Sequence, residues 1–268
     1  MADPALPRSA AGDRNPWLIA VVVSIATFME VLDTTIANVA LRHIAGSLAA
    51  SQDEATWILT SYLVSNAIVL PISGWLASVI GRKRFYMICV ALFTAASVMC
   101  ALSTSLGMML IARVIQGIGG GGMAPTEQSM FADTFPAEKR AQAFALYGLT
   151  VVSAPAIGPV LGGWLTDHAS WHWVFLINLP VGLLSLFLVQ WLVVEPKALQ
   201  EDRRKLLAGG LKIDVVGVIL VVLGFGALQI MLDRYEQDDG FSSDFITVLG
   251  LTAAACLIGL VIWELLQD

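Results

Sequence analysis

Eight apolar runs, each about long enough to cross a lipid bilayer, fill most of this 268-residue chain. They cover 17–41, 56–80, 85–103, 108–132, 141–166, 173–194, 213–233 and 245–265. A membrane helix needs about 20 predominantly apolar residues. In hydrocarbon only helices and closed barrels satisfy their own backbone groups. The runs therefore predict an all-α membrane protein, and the short connections between most of them predict antiparallel neighbours in a bundle. Composition agrees: 13% of residues are charged, against about 25% in a soluble domain.

The polar stretch from Met1 to Pro16 carries Arg8 and Arg14. The apolar run that follows lacks a small-residue cleavage site and reads as a retained helix rather than a signal peptide. Placing the N-terminus in the cytoplasm puts Arg8, Arg14, Arg82, Lys83, Arg84, Lys139, Arg140, Lys197, Arg203, Arg204, Lys205 and Lys212 on the inner side. Only Arg42 and Arg234 then lie outside, the asymmetry expected of cytoplasmic loops. No basic stripe with interleaved aromatics appears, which argues against a nucleic-acid ligand. Cys89, Cys100 and Cys256 all lie in apolar runs without metal-like spacing and read as small lipid- or core-facing residues. His168 and His172 have an i, i+4 spacing but no supporting carboxylate or thiolate pattern. Beside Trp171 and Trp173 they read as interfacial residues. No cofactor or metal is expected.

The chemistry concentrates in a few places. Phe28 to Leu41 reads F-M-E-V-L-D-T-T-I-A-N-V-A-L. Glu30 and Asp33 share a helix face, beside Thr34 and Ala37. A carboxylate at membrane depth costs at least a few kcal/mol. Two on one face imply a water-filled cavity, a cation or a proton to meet there; the plainer alternative is a buried carboxylate satisfied by a neighbouring helix. The fourth run holds Arg113 in R-V-I-Q-G-I-G-G-G-G-M-A-P. Counting from the outer helix ends, Asp33 and Arg113 differ in depth by about 4–5 Å. Pairing or proton-linked switching is open to them, as is a static salt bridge. Glu127 is a third intramembrane acid, nearer the inner end, with no role assigned over a structural one.

The fifth run reads A-P-A-I-G-P-V-L-G-G-W. Ala154, Gly158 and Gly162 form a small-residue ridge for close helix approach, while Pro155 and Pro159 predict a bend or loosening of the same helix. The second run ends G-W-L-A-S-V-I-G-R-K-R, with Gly74 and Gly81 read as sites of close helix approach before the basic turn Arg82, Lys83, Arg84. Glu195 to Lys212 reads as a solvated cytoplasmic linker. The acidic outer loop from Arg234 to Asp244 carries no assigned function.

In order along the chain, L-D-T-T-I-A-N-V-A-L, the second-helix G-W-L-A-x-x-x-G-R-K-R, R-V-I-Q-G-x-G and A-P-x-x-G-P-x-x-G-G-W closely resemble the major facilitator superfamily. The resemblance is to its 14-helix drug:proton antiporters of the EmrB/QacA type. W-H-W-V-F-L-I-N-L-P-V-G, Trp171 to Gly182, is similar to that subfamily's sixth helix. The resemblance implies a six-helix N-terminal bundle (a 3+3 inverted repeat) at 17–194, after a cytoplasmic tail at 1–16. It further implies a cytoplasmic linker at 195–212 and two additional helices at 213–268. It implies a proton-coupled multidrug exporter of the inner membrane, not an enzyme, exchanging amphipathic drugs for protons. Asp33, Glu30 and Arg113 would serve coupling; Pro155, Gly158, Pro159, Gly162 and Gly163 the antiporter motif; Gly74, Gly81, Arg82, Lys83 and Arg84 a gating turn. Ser78 stands where the family's turn usually has an acid. A periplasmic membrane-fusion protein is a further partner the resemblance implies. The family's second six-helix half does not follow within these residues, so the expectation is an N-terminal part that works with a C-terminal half or a second chain. The alternatives are a dedicated exporter of one metabolite or antibiotic, and a non-transporting eight-helix scaffold or intramembrane enzyme.

Overall fold

The computed structural model describes residues 15–210 and 214–267. The tail expected at 1–16, with Arg8 and Arg14, falls almost wholly outside the described residues, as does Lys212. The helices are α1 (Pro16–Ser47), α2 (Gln52–Ile80), α3 (Arg82–Ala101), α4 (Leu106–Thr134), α5 (Ala137–His168), α6 (His172–Leu176), α7 (Asn178–Leu192), α8 (Lys197–Ala208), α9 (Val215–Arg234) and α10 (Asp244–Leu266). Among the described residues eight spans are long and apolar enough to cross a membrane, α6 and α7 together making one of them. This is the all-α bundle of eight spans the apolar runs predict.

Two local features depart from the sequence reading. The sixth span is interrupted at Ile177. Pro180 has no amide hydrogen for the carbonyl of Leu176 and its ring crowds that carbonyl, so the first short helix ends there. Within the expected linker, Lys197–Ala208 is a helix. Pro196 precedes it, strong helix formers fill it, and Gly209 and Gly210, the latter at φ +82°, stop it.

The start of α1 lies beside the end of α4, where Trp17 meets Phe135 edge-on at 5.0 Å. That end of the bundle carries the α2–α3 and α4–α5 turns and is called here the basic end. α1 is the central helix. Its residues enter two apolar clusters, one toward the basic end around Val23, Tyr86, Phe93 and Phe131. The other, toward the far end, surrounds Ile36, Ile44, Ile58 and Phe175. The polar residues of α1 lie largely between and beside these clusters.

Small residues let the backbones close in. A Cβ at Gly119 would sit 2.7 Å from the Phe93 nitrogen of α3, and one at Gly121 2.5 Å from the Asn66 carbonyl of α2. The α4 glycine string thus packs on two neighbours at once, as small-residue interfaces allow. On α5, a Cβ at Gly158 would collide with Thr35 of α1, and one at Gly162 would lie 3.2 Å from Ile36. Pro155 and Pro159 stand one residue further round the helix and are exposed, and α5 runs unbroken past them. The prolines, expected to bend or loosen the helix, do not interrupt it, and both lie off the α1 seam.

The loop after α9 is built in rather than merely solvated. Arg234 is buried, with Nη2 donating to Asp53 at 3.0 Å, Nη1 to Thr56 at 3.1 Å and Nε to Asp238 at 2.7 Å. Its guanidinium lies 4.9 Å over the Trp57 ring, and Thr60 bonds Asp233. These contacts clamp α9 to α2. The hydrogen bonds from Arg234 hold the Asp238 carboxyl below its ordinary 3.8. This part of the clamp is therefore complete above that pH and is lost as the pH falls through the lowered value.

The α1–α5 seam makes a sharp contrast within one motif. Gly158→Val should cost about 1–3 kcal/mol through overpacking against Thr35. Gly163→Ala, where a Cβ meets nothing within 4 Å, should change stability by less than about 1 kcal/mol. Thermal unfolding of the purified variants in detergent measures both; equal losses would contradict the seam.

Candidate functional site

Asp33 projects from α1 and is 1% exposed. Its Oδ2 accepts from Arg113 Nη1 of α4 at 2.7 Å. Its Oδ1 accepts from Gln116 Nε2 at 3.1 Å and from Asn178 Nδ2 of α7 at 2.5 Å. Ser97 of α3 accepts from Gln116 at 2.7 Å and from Asn178 at 3.2 Å. Arg113 is fully buried; its Nη1 also donates to Gln116 Oε1 at 2.6 Å and its Nε to the Ile58 carbonyl of α2 at 3.0 Å. Tyr62 lies under the guanidinium, 4.4 Å from its carbon, and Phe175 is at 5.7 Å. Six helices therefore converge on one ion pair. The count from helix ends put these two residues within about 4–5 Å of each other in depth and left pairing open; in the structure they touch.

Glu30 faces α2, one turn nearer the basic end. It accepts from Tyr62 Oη at 2.7 Å and from Asn66 Nδ2 at 3.1 Å. Gly120 makes room for this trio, since a Cβ there would sit 2.6 Å from Tyr62 Oη. Tyr62 joins the two acids, bonding Glu30 while its ring supports Arg113. Glu127 accepts from Ser24 Oγ of α1 at 2.6 Å.

The expected gating turn is ordered by other elements. Gly81 ends α2 at φ +100°, a conformation that favours glycine. Arg203 of α8 and Glu195 lie directly over it. Arg203 Nη1 donates to the Ile80 carbonyl and to Glu195, both at 3.1 Å. Arg82 pairs with Asp133 of α4, and Lys83 Nζ donates to the Gln190 carbonyl at 2.9 Å. Arg84 is exposed. Gly74 does not serve close helix approach: a Cβ there would meet nothing within 4 Å, and the residue lines an open cleft beside α8. His168 and His172 stack on Trp164 and Trp171 respectively.

Sequence reasoning did not find Ser97, Asn178, Tyr62 or Asn66. Asn178 had a visible signal, an amide inside an otherwise apolar run. The others look like ordinary small or aromatic membrane residues until the helices are placed.

In this setting the pair has two chemically distinct states. With Asp33 ionised, the two charges cancel and the amides hold the carboxylate. With Asp33 protonated, Arg113 loses its counter-charge and the web must rearrange. Arg113→Met, which leaves Asp33 uncompensated, should cost about 3–5 kcal/mol, whereas Asp33→Leu/Arg113→Met should recover most of that loss. Unfolding free energies in detergent check this; a double variant as unstable as the sum of the singles would contradict it.

A sequence model of the Major Facilitator Superfamily matches residues 23–268. The "Multidrug export protein EmrB" of Haemophilus influenzae is 44% identical over 94% of this chain and 48% of its own length. The "Probable multidrug resistance protein EmrY" of Escherichia coli is 43% identical over 92% of this chain and 47% of its own. The "Fatty acid resistance protein FarB" of Neisseria gonorrhoeae is 40% identical over 91% and 46%. The chain spans about half the length of these curated relatives. Among solved structures, a D-xylose-proton symporter superposes with a TM-score of 0.59 at 19% identity, over 93% of this chain and 67% of that one. A peptide transporter in complex with sulfate superposes at 0.61 with 14% identity, over 82% and 52%. With the family match over nearly all of its length, this chain belongs to the major facilitator superfamily.

Proposed function

We propose that the chain is the N-terminal part of a proton-coupled multidrug exporter of the bacterial inner membrane, its N-terminus and basic end cytoplasmic. The observation that carries this reading is the 44% identity to a protein named for multidrug export, across almost the whole of this chain. The buried Asp33–Arg113 pair supports proton coupling, because adding or removing one proton changes the charge balance of a web that ties six helices together. Glu30 extends that web through Tyr62. The seam at Gly158 and Gly162 and the turn at Gly81 to Lys83 are where the bundle would rock and latch.

A second six-helix half is the partner this reading requires, since alternating access needs two bundles to move against each other. The face of α5 turned away from α1 is apolar and open, with Val152 71% and Val160 76% exposed. That face suits either the second half or lipid. The α8 helix seated on Gly81 places Glu195 near the turn whose own acid position is Ser78, and so supports a gate held partly by the linker. A narrower cargo range is the second reading, favoured by the relative named for fatty acid resistance.

Everted vesicles containing the full-length protein should release protons when an amphipathic drug is added. Asp33→Asn, compared at equal amounts of folded protein, should abolish that release. Drug-dependent release that persists in Asp33→Asn would remove Asp33 from coupling. Competition among chemically unrelated dyes separates a broad exporter from a narrow one.

A further inference from the structure

Glu127 has no part in the Asp33 web, and its surroundings differ from those of the other two acids. It sits on α4, 14 residues past Arg113, or about 21 Å nearer the basic end along the helix. Its side chain is fully buried. Oε1 accepts one hydrogen bond, from Ser24. Among the described residues Oε2 makes no hydrogen bond of ordinary geometry, and the Thr27 hydroxyl, likewise without one, is the polar group beside the carboxylate. None of the ion pairs among the described residues reaches Glu127. Asp33 has a guanidinium and two amides, and Glu30 a phenol and an amide; Glu127 has only the hydroxyls of Ser24 and Thr27.

The groups around it are few. From α1 come Ser24, Thr27 and, one turn on, Glu30. From α3 come Cys89 and Tyr86, whose hydroxyl donates to the Val23 carbonyl at 2.5 Å. Ser185 of α7 lies against Tyr86. Tyr147 of α5 is within electrostatic reach of both Glu127 and Glu30. No lysine or arginine belongs to this described group. A permanently charged carboxylate is very costly in such a place unless something compensates it, and a proton on the carboxylate does so.

A groove between α1 and α5 reaches the Ser24 side of the site. Helices α1 and α5 are in tight contact toward the far end, where Gly158 meets Thr35 and Gly162 meets Ile36. Toward the basic end they part to form an open groove of about 400 Å³. Ser24, Thr150 and Ser153 are its polar lining, among apolar residues such as Ile25 and Leu149. Ser24 thus has the groove on one side and Glu127 on the other.

We propose that Glu127 is a second proton-exchange site, separate from Asp33–Arg113 and reached from the α1–α5 groove through Ser24. In the step, Ser24 Oγ passes its proton to Glu127 Oε1 and takes one from a hydronium ion in the groove. The hydroxyl is restored, a water is released, and the carboxylate becomes a neutral acid; the return step runs in reverse. The proposal deepens the exporter reading, on which it rests for what the proton is exchanged against. The existence of the site does not depend on that reading.

The test uses dicyclohexylcarbodiimide, an apolar reagent that adds to a protonated buried carboxyl to leave a stable acylurea. The full-length protein is labelled in lipid nanodiscs and mapped by mass spectrometry. Glu127 should carry the adduct, at a rate falling about tenfold per pH unit on the alkaline side of its midpoint, as for a single proton. Thr150→Trp, which fills the groove, should slow the labelling of Glu127 by about tenfold or more and leave the protein folded. In vesicles, Glu127→Gln should remove one step from the pH profile of drug-driven proton release, and Glu127→Asp should restore it. The proposal is overturned if Glu127 stays unlabelled at every pH, if its labelling ignores pH and the filled groove, or if Glu127→Gln keeps the wild-type profile. Protection by sodium at constant pH would make this a sodium site and overturn the proton assignment. If the wild-type protein releases no protons with any drug, the exporter reading fails while the labelling result still decides Glu127.

Discussion

A charge cannot sit in hydrocarbon without compensation, and this constraint orders five of the bundle's six spans, α6 and α7 counting as one. Arg113 is fully buried, so every helix around it is committed to supplying something. α1 gives a carboxylate, α2 a carbonyl and an aromatic face, α3 a hydroxyl that fixes the amides, α6 a second aromatic ring and α7 an amide. The glycines of α4 then make sense as the means of bringing α2 and α3 close enough to contribute. Packing and polarity are one arrangement here: the helices approach where side chains are smallest, and the polar web occupies the space this creates.

That arrangement leaves the bundle unevenly tied. At the far end α1 and α5 are in backbone-close contact and α9 is clamped to α2 through Arg234. At the basic end the contacts are longer side-chain bridges, from Arg82 to Asp133 and from Arg203 to Glu195 across the Gly81 turn. Bridges between partly exposed charges are individually weak. The three buried acids, Asp33, Glu30 and Glu127, lie along α1 and α4 from the middle of the bundle toward the basic end. Their donor sets thin in the same direction, from a guanidinium with two amides to hydroxyls alone.

Much of the fold was legible in the sequence because the bilayer sets helix length, and uninterrupted apolar runs report it directly. The meeting of Asp33 with Arg113 was legible for a related reason: both residues can be counted from helix ends with a fixed rise. The α8 helix escaped because a search for long apolar runs passes over a short polar segment, although its composition favours a helix. The break at Ile177 was readable from Pro180. The outward direction of Pro155 and Pro159 was also readable, since each lies about 100° round from the ridge residue before it. Tyr62, Asn66 and Ser97 were not legible, because which face of α2 or α3 meets α1 is decided by three-helix packing rather than by any one helix.

The proposed role of the Asp33–Arg113 pair is that of a protonation-linked switch rather than a static buried salt bridge. Infrared difference spectroscopy of the full-length protein in lipid, recorded with and without a transported drug, tests it directly. The account predicts a carboxylic-acid carbonyl band that changes on drug addition and is missing from the Asp33→Asn difference spectrum. A spectrum without that band, in protein shown to bind the drug, would contradict it and leave the pair as a structural tie.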